Sequence, residues 1–291
     1  MRNPNSQIPM KSQTPTPKRV GDIVLTGAGH VVTTPCDPTP YLKVRKQRKF
    51  MGAQDDLAVA AAGRALESAG LTGPLGERVG LYLAVGYIPF EQSDIDLLLG
   101  GSLENGRFSM GRFSTDGYNA VNPLLTFRCL SNMPAYHVSV NFDLQGPYFV
   151  TYPGPGQFYA ALEEAAAALD SGRVDVALVG GVAHQDNFLV RHHFRRVDPP
   201  QERLADGAGV IILETAAHAG SRSRGRLLER RVEYRPVDPL EERFEPSESG
   251  ADAALGPASL PVALAQKGSG RLLHDLRSRD GIVASSRWEV A

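Results

Sequence analysis

Residues able to do acid–base or nucleophilic chemistry are sparse in this 291-residue chain, and few are spaced to act together. His184-Gln185-Asp186 follows the apolar run VALVGGV, at the C-terminal end of an expected strand. Folds of the α/β class place their sites there, and a His-Asp pair could serve as a general base. No nucleophile lies nearby in the sequence, so the pair reads equally as structural or as surface. His192-His193 stand among Arg191, Arg195 and Arg196, either as a clamp for a phosphate or an acidic carrier protein or as a solvated basic loop. Cys129, between Phe127 and Leu130 in an expected helix, reads as a buried core thiol. Cys36 in TPCDPTP reads as exposed, with no source for a lowered pKa. Lys43, Arg45, Lys46, Arg48 and Lys49 in KVRKQRK make either a solvated surface or a dock for an acidic partner. The segment Tyr152-Pro153-Gly154-Pro155-Gly156-Gln157 lies between a strand and a helix, where many α/β enzymes carry a nucleophile. From Pro153 to Gln157 it has no thiol and no hydroxyl.

The elements that must position these residues alternate between strand and helix. DIVLTGAG (22–29), RVGLYLAVGY (78–87), VDVALVGGV (174–182) and GAGVIILET (207–215) are short apolar runs of the kind that form buried strands. AQDDLAVAAAGRALESAGL (53–71) has apolar residues at helical spacing, carboxylates in its first turn and Gly70 as a stop. The alanine-rich segment of about 157–171 predicts a second helix ending at Ser171-Gly172, and NPLLTFRCLSN (122–132) a third with Pro123 at its first position. YHVSVNFDLQGPYFVTY reads as extended segments around a Gly-Pro turn, residues 88–120 as an excursion with a helical turn or two, and RGRLLERRVEYRP as a more polar strand. The tail offers one helix, PVALAQKGSGRLLHDL, and one strand, DGIVASSRWEVA. Gly27-Ala28-Gly29 is no dinucleotide site, because the third glycine of G-x-G-x-x-G falls on Val32 and TTPCDP follows where a helix should open.

Composition sets the class. With 42% hydrophobic residues the chain can bury a sizeable core, and a formal net charge of -1 gives no global field toward nucleic acid or anionic membrane. Two cysteines are too few for a disulfide framework, no run approaches a membrane span, and no signal-peptide pattern opens the chain, so the expected compartment is the cytoplasm. No cofactor or metal is expected. The order of elements predicts an α/β fold with a largely parallel sheet. We expect a flexible arm over 1–19, a main domain over 20–235, an acidic turn-rich linker over 236–259, and a short remnant over 260–291 packed on the main domain.

In this order the segments IVLTGAG, FMGAQDDLAVAAAGRALESAGL, NPLLTFRCLSNMPAYHVSVNFDLQGPY, AALEEAAAALDSGRVDVALVGGV and RVDPPQERLADGAGVIILETAAHAGSRSRG resemble the β-ketoacyl synthase family of the thiolase-like fold over about residues 20–230. The resemblance implies a thiolase-like first half, with a mostly parallel five-stranded sheet flanked by helices, and a truncated second half. In that family a Thr-Ala-Cys-Ala-Ser-Gly-like segment carries the nucleophile. Counting back from Ser171-Gly172 by the family's spacing puts the cysteine on Pro155. A condensing thiolate sits at a helix N-terminus with backbone donors for the oxyanion, and proline supplies neither thiol nor N–H. The family's two histidines, in His-Gly-Thr and Gly-His contexts, have no counterpart: beyond residue 218 only His274 occurs, in RLLHDL, and SGADAALGPASLPVAL resembles the Gly-His helix start without its histidine. The family's Gly-Phe-Gly-Gly turn is matched to ASSRW.

The resemblance therefore implies a catalytically silent subunit, similar in role to a chain-length factor, that partners an active ketosynthase or forms a homodimer in polyketide or fatty-acid-type biosynthesis. Gln157 is either comparable to the glutamine that replaces cysteine in chain-length factors or an ordinary first-turn residue. The family's subunits join through the strand before the nucleophile turn, here Tyr148, Phe149, Val150, Thr151 and Tyr152, and an acyl carrier protein would meet the cations of 43–49. The alternatives are an acyltransferase or thioesterase using His184, Asp186 or a cysteine, and a non-catalytic acyl or carrier-protein binding module.

Overall fold

Apolar runs with no polar face form strands covered on both sides, and five such strands make one half of the sheet. They are Ile23–Val31 (β1), Val79–Val85 (β2), Tyr148–Thr151 (β3), Val176–Ala183 (β4) and Gly207–Thr215 (β5). The computed structural model describes residues 18–19, 23–128, 130–197, 200, 203–235 and 246–291. In space the five run β3-β2-β4-β5-β1, with β1 to β4 parallel and β5 antiparallel between β4 and β1. This is the expected mostly parallel five-stranded sheet.

The second half continues the same sheet. Gly225–Tyr234 (β6) pairs with β1 through Val24↔Arg226 and Leu25↔Gly225, and Ser247–Ser249 (β7), Gly270–Arg277 (β8) and Ile282–Val290 (β9) extend it antiparallel in the order β6-β9-β8-β7. With Lys18–Arg19 paired to β6, the described residues form a ten-stranded sheet.

Helices fill two layers. On one face of the first half-sheet lie Ala53–Ala69 (α1) and Met133–Phe142 (α3), whose Leu57, Ala61, Ala135 and Val138 share a core with Leu81, Leu83, Leu178 and Ile212. Between them in sequence Gln92–Ser102 (α2) forms part of an excursion. On the other face Gln157–Asp170 (α4) and Ser259–Gln266 (α6) pack against Tyr82, Val179 and Ile211 on one side and Leu272, Leu276, Ala284 and Trp288 on the other. Phe188–Arg195 (α5) lies beyond β4. The chain is thus layered as helix, half-sheet, helix, half-sheet. The outer face of the second half-sheet is solvated and charged: Arg226 lies 3.4 Å from Glu289, Arg287 3.5 Å from Glu229, and Glu233 takes Arg231 and Arg235.

Local signals explain most boundaries. The Gly52 N–H donates to Asp55 at 2.7 Å at the start of α1, and Gly70, at φ +69°, ends it. Two expectations are corrected. Residues 133–142 form a helix, not extended chain: Met133, Pro134, His137, Val138 and Asn141 make one buried face against α1, which overrides the strand preference of its β-branched residues. The tail helix ends at Gln266, because Leu272, His274 and Leu276 are buried while Leu273 and Asp275 are exposed, the period-two pattern of a strand. Of NPLLTFRCLSN only Leu125–Arg128 is a helix, and the excursion carries more helix than expected in α2. The segment read as a linker contains β7 and a helical turn over Ala253–Ala258; its residues 236–245, the arm up to residue 17 and Cys129 lie outside the described residues.

Gly181 is the tightest point between β4 and the turn before α6, since a Cβ there would run into the Pro257 carbonyl. Gly181→Ala is expected to lower stability by about 1–3 kcal/mol through overpacking, read as a drop in the midpoint of urea unfolding.

Candidate functional site

The turn singled out by sequence sits where β3 gives way to α4, at the C-terminal edge of the parallel strands. Thr151 Oγ1 donates to the Gln157 carbonyl at 3.0 Å, the Gln157 N–H donates to Gly154 O at 3.1 Å, and α4 begins at Gln157. Pro155 therefore stands two residues ahead of the helix, its carbonyl accepting from the Phe158 N–H at 3.3 Å. Gln157 is the first helical residue, and its Nε2 donates to Asp280 Oδ2 at 2.8 Å. Asp280 belongs to the turn between β8 and β9, which also brings Ser278 against Gly156: a Cβ on Gly156 would collide with the Ser278 hydroxyl and with Ile282. The turn that faces the candidate site is thus Ser278 to Gly281. ASSRW, matched by sequence to that role, lies inside β9 with Trp288 fully buried.

A cleft of about 680 Å³ opens over this turn, with Pro153, Gly154, Pro155, Gln185, Glu248 and Asp280 on its wall. A second pocket of about 570 Å³ adjoins it through the shared residue Tyr87 and is lined by Tyr152, Phe90, His192, His193 and Arg196. His192 and His193 are on the helix α5, not in a loop: the His193 ring lies 4.8 Å from the Tyr87 ring and Arg196 Nη1 lies 3.2 Å from His192 Nε2.

His184 and Asp186 do not pair with each other. His184 Nδ1 is 3.0 Å from Asp206 Oδ2, while Asp186 forms an ion pair with Arg191. Asp206 also accepts from Thr34 Oγ1 at 2.5 Å and from the Asp186 N–H at 2.8 Å. Burial opposes charge on both members of the pair. For His184 the hydrogen bond and charge of Asp206 outweigh burial and raise its pKa. For Asp206 the hydrogen bonds from His184, Thr34 and Asp186 outweigh burial and hold it at about 2. Nothing in the primary sequence joins 184 to 206. The antiparallel register does, because Ala183 pairs with Gly207.

Other placements are plain. Cys36 is half-buried rather than exposed, and burial pushes its thiol up to about 11. Lys43, Arg45, Lys46, Arg48 and Lys49 are all exposed; Lys43 pairs with Asp143, Arg48 lies 2.9 Å from Asp37, and Lys49 sits over the Phe50 ring. Tyr148 to Tyr152 follow the free edge of β3, with Tyr148 63% exposed and Tyr152 41%.

Sequence reasoning missed two buried polar groups. Asp55, raised to about 7 chiefly by burial, lies 4.0 Å from His137, which burial lowers to about 4. His274 bridges Glu248, at 2.8 Å from Nε2, and Tyr159, at 2.8 Å from Nδ1. The polar residue at every second place of an otherwise apolar strand face was the available signal for His274.

Residues 3–201 match the family model described as the N-terminal domain of β-ketoacyl synthase. The chain belongs to the β-ketoacyl synthase family. No curated protein matches it by sequence. Among solved structures it is similar to a chain of the AntDE:AntF assembly, a type II polyketide synthase acyl-carrier protein in complex with its ketosynthase bound to the hexaketide. That likeness has a TM-score of 0.67 at 13% identity and covers 92% of this chain and 99% of that one. It is also similar to the ishigamide ketosynthase/chain length factor, with a TM-score of 0.64 at 16% identity over 93% of this chain and 99% of that one. A third likeness is to the ketosynthase from module 1 of the bacillaene synthase of Bacillus amyloliquefaciens FZB42, with a TM-score of 0.61 at 13% identity over 94% and 77%. These are likenesses of fold. Among the described residues no helix is long and apolar enough to cross a membrane.

Two outcomes follow from the electrostatics. The elevated His184 contributes its full stabilisation below pH ~6.5 and loses it as pH rises through the folded value. The depressed Asp206 contributes fully above its ordinary 3.8 and loses its share as pH falls toward 2. Asp206→Asn is thus expected to cost about 1–3 kcal/mol, with the gap to wild type widest between those limits in denaturant titrations across pH. Cys36, raised from 9.0 to about 11, is expected to alkylate with iodoacetamide about tenfold more slowly at neutral pH than an unperturbed thiol, the lost thiolate fraction being partly offset by its greater nucleophilicity, followed by peptide mass spectrometry.

Proposed function

We propose that this member of the β-ketoacyl synthase family is a catalytically silent subunit that pairs with an active ketosynthase in polyketide or fatty-acid-type biosynthesis. The observation that carries the reading is the turn from Gly154 to Gln157. It stands between a strand and a helix, where the resemblance puts the family's nucleophile, holds no thiol or hydroxyl, and is tied down by Asp280 through Gln157. A thiolate is needed to carry the acyl chain through a covalent thioester, and no other side chain in this turn can replace it.

Pairing is supported by β3. Among the described residues it stands at the edge of the sheet with no strand paired on one side, and it carries Tyr148, Phe149 and Tyr152 exposed to different degrees. An exposed aromatic edge strand is a template for another strand, so a pseudo-subunit can keep such an interface without the chemistry. The ketosynthase/chain length factor and the ketosynthase–carrier complex among its structural likenesses fit the same reading. An acyl carrier protein would meet the exposed Arg45 and Lys46 of the 43–49 stretch. Residues 260–291 act in this reading as the part of a shortened second half that closes over the turn.

The test is co-expression with a ketosynthase encoded beside it, followed by size-exclusion chromatography and intact-mass analysis after incubation with acyl thioesters. A complex and an unmodified mass for this chain are expected; an acyl adduct on this chain, or a monomer at every concentration, would refute the proposal. Tyr148→Pro is expected to weaken the complex at least tenfold while leaving the far-UV circular dichroism spectrum intact: with the Leu81 N–H bonded to Pro147 O the Tyr148 N–H points away from β2, so proline there removes a donor that the fold itself does not use.

A further inference from the structure

The 570 Å³ pocket beside the cleft brings together cationic and aromatic side chains that the turn does not use. His192, His193 and Arg196 reach it from α5 and the residue that ends it, at the spacing of three and four that puts them on one helical face. Tyr87 and Phe90, which follow β2, and Tyr152, which follows β3, close it with rings. Tyr87 is fixed among aromatic neighbours: its ring has Phe194 at 5.4 Å and Tyr152 at 6.2 Å, both edge-on, and His193 at 4.8 Å. Its carbonyl accepts from Gln54 Nε2 at 2.6 Å.

Charge is divided unevenly between the two cavities. The wall of the cleft carries both signs, Arg203, Arg277 and Arg279 with Glu248, Asp252 and Asp280. The wall of the pocket carries Arg196 and two histidines and, among the described residues, no carboxylate. Asp186, just ahead of α5, is taken by Arg191. A guanidinium keeps its charge, so Arg196 Nη1 donates to His192 Nε2, 3.2 Å away, and the His192 proton sits on Nδ1. Among the described residues the Arg196 side chain makes no other hydrogen bond and no ion pair, which leaves its Nε–Nη2 edge for a ligand. Such an edge takes a carboxylate through two parallel bonds.

We propose that this pocket binds a small aromatic acid, its flat body against Tyr87, Phe90 and Tyr152 and its carboxylate on the Nε–Nη2 edge of Arg196. The volume is in the range that encloses a ligand of that size, and the lining has the usual make-up of such a site, mostly apolar with a few polar groups that fix orientation. Ring against ring adds edge and offset contacts that an aliphatic chain of the same area lacks, which gives the aromatic body its advantage. The charge gives the acid its advantage over a neutral ligand, because a bond to a charged group is stronger than one between neutral groups. The site lies outside the turn and needs no covalent step, so the claim stands independently of any pairing with a ketosynthase.

The probes are trans-cinnamate, cinnamyl alcohol and octanoate, titrated calorimetrically into the full chain at neutral pH. Cinnamate is expected to bind about tenfold more tightly than cinnamyl alcohol, which has the same body without the charge, and at least threefold more tightly than octanoate, which has the charge without the ring. Cinnamyl alcohol matching or exceeding cinnamate would overturn the proposal, as would octanoate matching or exceeding it, or no heat from cinnamate at concentrations up to about 1 mM. Arg196 is exposed, so Arg196→Gln is expected to leave the fold intact; in it cinnamate should fall about tenfold, to the level of the alcohol, while the alcohol stays within twofold of its wild-type affinity. Arg279→Gln, on the wall of the adjoining cleft, should leave both affinities as they are. If Arg279→Gln removes the preference for cinnamate and Arg196→Gln does not, the anion is held in the cleft and the pocket assignment is overturned.

Discussion

One helix with sheet on both sides organises the molecule. The helix α4 shares one core with both half-sheets through Phe158, Leu162 and Ala166; its Tyr159 bonds His274 and Ser286 of the second, and its Glu163 pairs with Arg230. Only a narrow stripe of this helix, Glu164, Ala167 and Asp170, is exposed, and its alanine-rich sequence lets two pleated surfaces approach it closely. Each buried large side chain along these contacts contributes about 1.5–3 kcal/mol. The position of the turn before α4, and hence of the cleft, is inherited from that packing.

The same arrangement explains how a shortened second half can stand. Its strands β6, β8 and β9 turn Leu227, Leu272, Leu276, Ala284 and Trp288 toward α4 and α6, and arginines and acids toward water. An antiparallel sheet tolerates one wet face when that face is polar and its charges of opposite sign are neighbours across strands. No further helical layer is required to cover it. The turn between β8 and β9 then lies directly over Gly154 to Gln157, so the segment that covers this turn is anchored in the same core as the helix that follows it.

The turn from Pro153 to Gln157 holds no thiol or hydroxyl, while the surrounding polar groups are numerous and mostly partnered: Gln157 with Asp280, His184 with Asp206, Glu248 with His274. Buried polar pairs of this kind are costly to leave half-made, so they hold a cavity in one shape.

The sequence by itself determined the first half-sheet, α1, α4 and the family. Uniform apolar runs, helical spacing and glycine stops are local properties, and that Pro153 to Gln157 hold no thiol or hydroxyl is legible without coordinates. Only the tertiary structure decided the rest. Whether residues 133–142 were helix or strand depended on a buried face against α1, and whether 270–277 were helix or strand depended on a sheet edge supplied by β9. The partners of His184, His274 and Gln157 lie 22, 26 and 123 residues away in sequence, at Asp206, Glu248 and Asp280. Such pairs arise from strand register and from a hairpin folding back on a distant turn, which no local pattern of residue types encodes.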